Sequence, residues 1–295
     1  MPLPAVGTRV SLRYRLPAGS VPPLTDVVGH LEAVGPTVRV RNKRGETVEI
    51  AATDVVAVKA LGAAPVRTGD IRNLEHAAAL AWPGVEQHRV DGWLLRFGRG
   101  STRRANSAVP LDVSAGSNVS AVIDWYAARA VAPLIAAPDR LLQVPSGVPT
   151  EAETLIMTGD LTTSPSSGVT IADRPDDEWL RLYEREVPVD VLTAVLDGEV
   201  AFAMSAGAAV GRGAVTESPD GARWVGLSAV HVLETERRRG LARQLCGDLL
   251  AWGAERGATR AYVQVVADNA AATRLYESMG FSVHHRSRYV DARSL

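Results

Sequence analysis

The sequence has little cysteine, little lysine and no long apolar run. Cys246 is the only cysteine among 295 residues, so the chain can form neither an intramolecular disulfide nor a cysteine-based zinc cluster. Lys43 and Lys59 are the only lysines, whereas arginine is abundant, and the formal net charge is −1. This balance gives no electrostatic reason to expect nucleic acid or a membrane as an obligatory partner.

Other absences exclude further classes. There is no apolar stretch of about 18 residues, and the first residues lack the charged and apolar regions of a signal peptide, so we expect a cytoplasmic protein. Scattered histidines without a His-Glu-x-x-His pattern predict no metal site. A Gly-x-x-x-x-Gly-Lys loop is missing, which argues against an NTPase. Gly98-Arg-Gly100 and Gly211-Arg-Gly213 lack the third glycine of a dinucleotide fingerprint, and we interpret them as turns.

The most informative stretch, residues 234–245, reads ETERRRGLARQL and follows the apolar run 224–233. The pattern predicts a strand, a turn and the start of an amphipathic helix. The first N–H groups of a helix have no partner inside it, and the helix dipole places positive charge at the same end. Gly240 would let the backbone approach an anion closely. The segment therefore predicts a pyrophosphate site.

A second motif follows at residues 261–281. Its first part, 261–267, predicts a strand, and residues 270–279 predict a helix that ends at Gly280. Asn269 stands before this helix, Leu275-Tyr276 lies within it, and Gly280-Phe281 follows it.

Together the two motifs resemble the GNAT superfamily of N-acetyltransferases. The first matches the Gln/Arg-x-x-Gly-x-Gly/Ala pattern through Arg237, Gly240 and Ala242, and the second matches in Asn, Leu-Tyr and Gly-Phe. The resemblance implies an α/β (α+β) GNAT fold with a mixed central sheet over residues 169–295. It also implies an acetyl-CoA-dependent N-acetyltransferase, with acetyl-CoA as co-substrate.

The preceding residues divide into two further segments. Residues 1–62 contain short alternating runs at 7–16, 26–34, 37–41, 47–50 and 55–60, which predict a small all-β barrel of the Src-homology-3-like type. Its outward basic residues are Arg39, Arg41, Lys43 and Arg44. Residues 69–160 predict helix, two strands, helix and strand, and resemble a degenerate GNAT-like half that shapes the acceptor side. Linkers are expected at 63–69 and 158–168. The layout resembles actinobacterial GNAT proteins, some of them N-acetylglutamate synthase-like.

The resemblance implies roles for particular residues. The strand around His231 would separate from its neighbour, pair with the pantetheine arm and polarise the thioester carbonyl through the N–H of Val232. Tyr276 would protonate the departing thiolate, although it also suits a helix core. Asn269 would contact the cofactor, although it also suits an N-cap. The implied cofactor-binding residues are Val230, His231, Val232, Arg237, Arg238, Arg239, Gly240, Leu241, Ala242, Arg243, Asn269 and Tyr276.

The general base is where the chain departs from a common family pattern. Many GNAT enzymes that act on protein N-termini have a glutamate on the fifth strand, and Gln264 stands at that place here. A glutamine cannot accept the proton, which leaves His231, Glu234 or a water chain to a backbone carbonyl. His284 and His285 lie on the last strand and are expected to face opposite sides of the sheet.

The acceptor stays open at this stage between a small molecule, such as an amino acid like glutamate, and a protein amine. A glutamate acceptor would need a cationic clamp, for which the candidates are Arg96, Arg103, Arg104, Arg212 and Arg288. The alternative from another class is a non-catalytic acyl-CoA-sensing module whose barrel contacts a partner. A homodimer is also compatible with the sequence.

Overall fold

The computed structural model describes residues 3–42, 44–61, 66–116, 118–161, 168–205 and 207–295. They fall into two units, Met1–Pro65 and Val66–Leu295. Lys43 lies outside the described residues, as do residues 62–65 and 162–167 in the two expected linkers.

The small unit is a five-stranded antiparallel sheet in the order β4-β3-β2-β1-β5. Its strands are β1 Arg9–Arg15, β2 Leu24–Ala33, β3 Thr37–Asn42, β4 Thr47–Ala51 and β5 Val55–Ala60. Alternate apolar side chains of β1 to β4 form its core, and Arg39 and Arg41 of β3 are exposed between them. The alternation in the sequence therefore placed these strands and their faces correctly.

The described part of the large unit contains both helices and strands. Its helices are α1 Thr68–Ala81, α2 Val119–Ala127, α3 Asp177–Tyr183, α4 Val189–Thr193, α5 Leu241–Glu255 and α6 Ala270–Ser278. Its strands are β6 Glu86–Val90, β7 Trp93–Phe97, β8 Val109–Pro110, β9 Leu134–Pro138, β10 Thr150–Asp160, β11 Val169–Ala172, β12 Glu199–Ser205, β13 Ala209–Glu217, β14 Arg223–Val232, β15 Arg260–Val266 and β16 Ser282–Asp291. None of the described helices is long and apolar enough to cross a membrane.

The main sheet has eight strands in the order β11-β12-β13-β14-β15-β10-β16-β9. It is mixed, as expected, because β14 and β15 are parallel while the other strand pairs are antiparallel. Strands β9 and β10 come from the segment 69–160, yet β10 lies between β15 and β16. The expected boundary between a middle and a C-terminal domain therefore does not separate two units, since both segments build one sheet.

Helices α1 and α5 cover opposite faces of this sheet. On β13, a Cβ added to Gly211 would lie 2.4 Å from the Leu245 side chain of α5. The neighbouring Arg212 points the other way and donates to the Ala81 carbonyl at the end of α1. The interpretation of Gly211-Arg-Gly213 as a turn was wrong, because these glycines allow α5 to pack closely on a strand. Gly98-Arg-Gly100 does form a turn.

The two adjacent histidines of β16 do not face opposite sides as expected. The register with β10 shifts, so that Ile156 pairs with His285 and Met157 with Val283. His284 is thus the extra residue of a β-bulge, which turns its ring toward that of His285. The two Nδ1 atoms are 2.8 Å apart, and His285 Nε2 is 2.7 Å from Glu75 Oε1 of α1.

Candidate active site

Strands β14 and β15 separate in the middle of the sheet. Their parallel pairing runs from Trp224–Arg260 to Leu227–Val263, and no later pair is found along these fully described strands. Directly after this point β14 has a bulge against β13, where Ala229 adopts a φ of 52°. The bulge bends the end of β14. The separation implied by the family resemblance is therefore present.

The turn between β14 and α5 has a backbone that requires glycine at one position. Gly240 is the N-cap of α5 with a φ of 83°, and no described atom lies within 4 Å of the place where its Cβ would stand. The left-handed conformation explains the glycine, and the open space leaves room for a ligand. Gly240 has no side chain that could cap this helix, so the first N–H groups of α5 remain available to an anion.

These N–H groups border a groove of about 820 Å³, which we call the outer groove. It is lined by all of the implied cofactor-binding residues except Arg239. Arg239 instead holds Glu236, with 2.8 Å between its Nη1 and Oε2. The outer groove takes its positive charge from the arginines that line it, which are Arg185, Arg237, Arg238 and Arg243.

A second cavity of about 310 Å³, the inner cavity, opens where β14 leaves β15. His231, Asn269 and Tyr276 line both the inner cavity and the outer groove, as do Val230, Ala272 and Arg185. The two spaces therefore adjoin at the residues to which the sequence assigned the chemistry.

Tyr276 lies on α6 at this junction and is only 6% exposed. Burial raises the pKa of its hydroxyl well above the ordinary value, and the adjoining Cys246 adds to the rise. The hydroxyl is therefore protonated at neutral pH. Burial also raises the pKa of the Cys246 thiol to about 12, and this cysteine packs in the core of the large unit.

The two candidates for the general base, His231 and Glu234, lie in different environments. His231 points into the site, with its Nε2 3.2 Å from Glu184 Oε2 but without hydrogen-bond geometry. Glu184 ends α3 in a left-handed conformation. Glu234 is 89% exposed beside Arg237 and lines neither space. Of the two candidates, only His231 is therefore positioned next to the site.

Asn269 caps α6 by accepting from the Ala272 N–H at 3.1 Å while it lines both spaces. Gln264 is half-buried on the inner cavity and borders a pocket of about 20 Å³ behind it. Glu75 lines that rear pocket, with its Oε1 held by His285. Neither Glu75 nor the cavity-lining Arg185 belongs to a recognisable motif, so the sequence did not single them out.

The structure reduces the number of arginines that could form the acceptor clamp. Arg212 is buried and donates to the carbonyls of Leu192, Ala81 and Ala194. Arg96 is likewise buried and donates to the carbonyls of Ser107 and Trp82. Arg96 and Arg212 therefore link separate backbone segments through hydrogen bonds. Arg288 lines none of the cavities described above, so that only Arg103 and Arg104 of the five reach the inner cavity.

The large unit has the fold of GNAT-type N-acetyltransferases. A GNAT-family acetyltransferase from Novosphingobium aromaticivorans superposes with a TM-score of 0.51 at 20% identity, covering 72% of this chain and 95% of that one. A GCN5-related N-acetyltransferase from Kribbella flavida gives 0.52 at 15% identity, covering 77% and 96%.

The chain belongs to the family described as Probable histone acetyltransferase Rv0428c, whose C-terminal model matches residues 68–290 and whose N-terminal Sm-like model matches residues 4–59. The protein called Probable histone acetyltransferase Rv0428c, from Mycobacterium tuberculosis, is 53% identical over 99% of this chain and 97% of its own length. The Bacillus subtilis N-acetyltransferase YobR is 26% identical over 72% of this chain and 95% of its own. This chain is an N-acetyltransferase, and the comparisons favour that hypothesis over an acyl-CoA-sensing module.

Proposed function

We propose that the protein transfers the acetyl group of acetyl-CoA to a primary amine at the junction of the outer groove and the inner cavity. The observation that carries the proposal is the separation of β14 from β15 beside the N-terminus of α5, with Tyr276 between the two spaces. The acetyl donor occupies the outer groove, and the amine enters through the inner cavity.

The outer groove supplies two kinds of donor. The N–H groups of Leu241, Ala242 and Arg243, together with the guanidinium groups along the turn, bind the pyrophosphate. The free edge of β14 from Val230 to Val232 offers backbone groups to the amides of the pantetheine arm, as an exposed strand edge does for an extended peptide. The N–H of Val232 polarises the thioester carbonyl.

Tyr276 acts as the general acid in this proposal. Its hydroxyl is protonated at neutral pH, so that the proton can be donated to the thiolate as it leaves. His231 acts as the general base, since it faces both spaces and its Nε2 lies 3.2 Å from the Glu184 carboxylate. Asn269 fixes the start of α6 and thereby the position of Tyr276.

A lysine of a protein is the second candidate acceptor. The Mycobacterium tuberculosis relative is named a histone acetyltransferase, and its identity to this chain is high. A protein substrate would present its lysine side chain to the inner cavity and leave the rest of the peptide outside.

The test is release of free thiol from acetyl-CoA in the presence of a panel of amino acids, small amines and lysine peptides. Replacing Tyr276 by Phe removes only the hydroxyl, and we expect kcat to fall by about 10²- to 10⁴-fold while the Kd for acetyl-CoA is unchanged. Tyr262→Phe is the matched control, because Tyr262 is also buried but lies outside both spaces. Equal activity in Tyr276→Phe and wild type would remove the proposed acid.

A further inference from the structure

The inner cavity has an uneven distribution of charge. Arg103, Arg104 and Arg185 line it, whereas no Asp or Glu does so within the described part of the chain. Arg103 is compensated outside the cavity, because its Nη2 lies 2.7 Å from Glu151 Oε2. Arg104 and Arg185 have no ion-pair partner among the described residues.

Among these three arginines, Arg104 has the environment that most favours a bound anion. It is half-buried, and its guanidinium lies 5.4 Å from the centre of the Trp82 ring. Behind it stand the buried Arg96 and Arg212, whose pKa values are lowered by burial and, to a smaller extent, by the charge of Arg104 itself. Withdrawing such a cation from water without a counter-charge is unfavourable.

No described carboxylate forms an ion pair with Arg104. Of the described carboxylates, Glu75 alone lines the rear pocket, which Arg96 and Arg104 also line. Its Oε1 is held by His285 at 2.7 Å, and it lines the rear pocket but not the inner cavity. The side of Arg104 that faces the inner cavity is thus left to a ligand.

We propose that the acceptor is a small amine that also carries a carboxylate, of the amino-acid class, and that Arg104 binds the carboxylate. This rests on the proposed acetyl transfer and names its substrate class. A guanidinium matches a carboxylate through two parallel hydrogen bonds, which fixes the orientation of the bound molecule. The 310 Å³ of the inner cavity is the size of a small-molecule site.

The same charges disfavour a basic peptide. A lysine tail rich in further cations would bring like charges toward Arg104 and Arg185, and no carboxylate of the inner cavity would receive them. The arginines also favour the neutral form of the acceptor amine, because nearby positive charge lowers the pKa of an ammonium group. Only the neutral amine attacks the thioester. The positive charge of these arginines thus accounts both for the selectivity for an anionic acceptor and for the activation of its amine.

The experiment compares matched acceptors with the full-length protein and acetyl-CoA, with thiol release as the readout. The acceptors are glutamate and aspartate, their derivatives in which every carboxylate is converted to an amide or a methyl ester, and a basic lysine peptide of histone-like composition. We expect the free acids to exceed their neutralised derivatives by about 10- to 100-fold in kcat/KM, the range for a charged hydrogen bond. The lysine peptide should be the poorest acceptor.

Variants then assign the selectivity to one residue. Arg104→Gln should raise KM for the free acids and remove most of their advantage over the amides, while the Kd for acetyl-CoA stays unchanged. Arg104→Lys should restore part of the advantage, because it keeps the charge but loses the paired hydrogen bonds. Arg288→Gln is the control, since Arg288 lies outside the cavity and should leave the ratio of acid to amide as in wild type. The ratio is measured within each variant and so does not depend on the amount of folded protein.

The outcomes separate the two proposals. If amides or the lysine peptide are acetylated as well as the acids, and Arg104→Gln does not change the ratio, the acetyl transfer stands but the acceptor class proposed here is wrong. If the protein binds acetyl-CoA and releases thiol with none of the acceptors, the proposed transfer itself fails, and the acceptor class fails with it.

Discussion

Gly240 has two separate reasons to be glycine, of which the sequence pattern indicated one. Close approach of an anion is the reason that the motif suggests, and the open space at its Cβ position agrees with it. The second reason is the φ of 83° at the N-cap of α5, a backbone conformation that residues with a side chain rarely adopt. Backbone strain and ligand access can be separated by experiment because another glycine has a positive φ but does not line the outer groove.

Gly221 is that matched glycine, with a φ of 78° and open space around it in the loop between β13 and β14. We expect Gly240→Val and Gly221→Val each to destabilise the protein by about 1–2 kcal/mol through the left-handed backbone. Only Gly240→Val should also weaken acetyl-CoA binding, by at least about tenfold, because it displaces the N–H groups at the helix start. Thermal unfolding and calorimetric titration measure the two effects, and equal acetyl-CoA affinity in both variants would contradict the role given to the turn.

The side-chain roles were less predictable than the backbone of the motif. The sequence pattern did not reveal whether the His231 side chain faces the cleft. The bulge at Ala229 determines the direction of this side chain. Glu234 was a reasonable candidate by its position in the chain, but the 3-10 turn that begins there exposes it. Bulges and tight turns depend on contacts between distant strands, so spacing along the chain does not reveal them.

At the scale of elements, helix α6 combines a structural cap with a cavity wall. Asn269 caps α6, and Asn118 caps the equally long α2 in the same way, by accepting from the Ala121 N–H at 3.2 Å. We expect Asn269→Ala and Asn118→Ala each to lower the free energy of unfolding by about 1 kcal/mol. Asn269→Ala alone should also weaken acetyl-CoA binding, since Asn118 lines neither cavity.

Chemical denaturation and acetyl-CoA titration of the two variants provide the measurements. A loss of stability without a change of affinity in Asn269→Ala would show that the residue is a cap only.

Strong local patterns in the sequence made most elements predictable. Strand β10 is an element that such patterns did not predict. The strands of the small unit and the pairs β14–α5 and β15–α6 have alternation, caps and terminal glycines in the sequence itself. Strand β10 has only Leu155, Ile156 and Met157 as an apolar run, and part of it was assigned to a linker. It is a strand because β15 and β16 pair with both of its edges, and these partners lie about a hundred residues later.

At the scale of the whole molecule, the half-buried His284 connects stability to pH. Burial first, and then the charge of His285, lower the pKa of His284 from 6.5 to about 4, against the opposing effects of Asp70 and Glu75. The unfolded chain therefore takes up this proton first as the pH falls. Stability should decrease between about pH 6.5 and 4 and change no further below that range on account of His284.

Because the His284 ring is partly exposed, we expect a loss of about 1–2 kcal/mol. His284→Asn should flatten this part of the profile, whereas His88→Asn, at an exposed position of β6, should not. All the tryptophans lie in the large unit, so denaturation followed by their fluorescence reports on that unit. An unchanged slope in His284→Asn would contradict this assignment.

The place of β10 in the sheet also determines when the large unit can fold. A ribosome releases β10 well before β15 and β16, so the growing chain must hold an unpaired strand with two open edges. Pairing across such a sequence distance slows folding and exposes intermediates to aggregation. The main sheet can be completed only after Asp291 has left the exit tunnel.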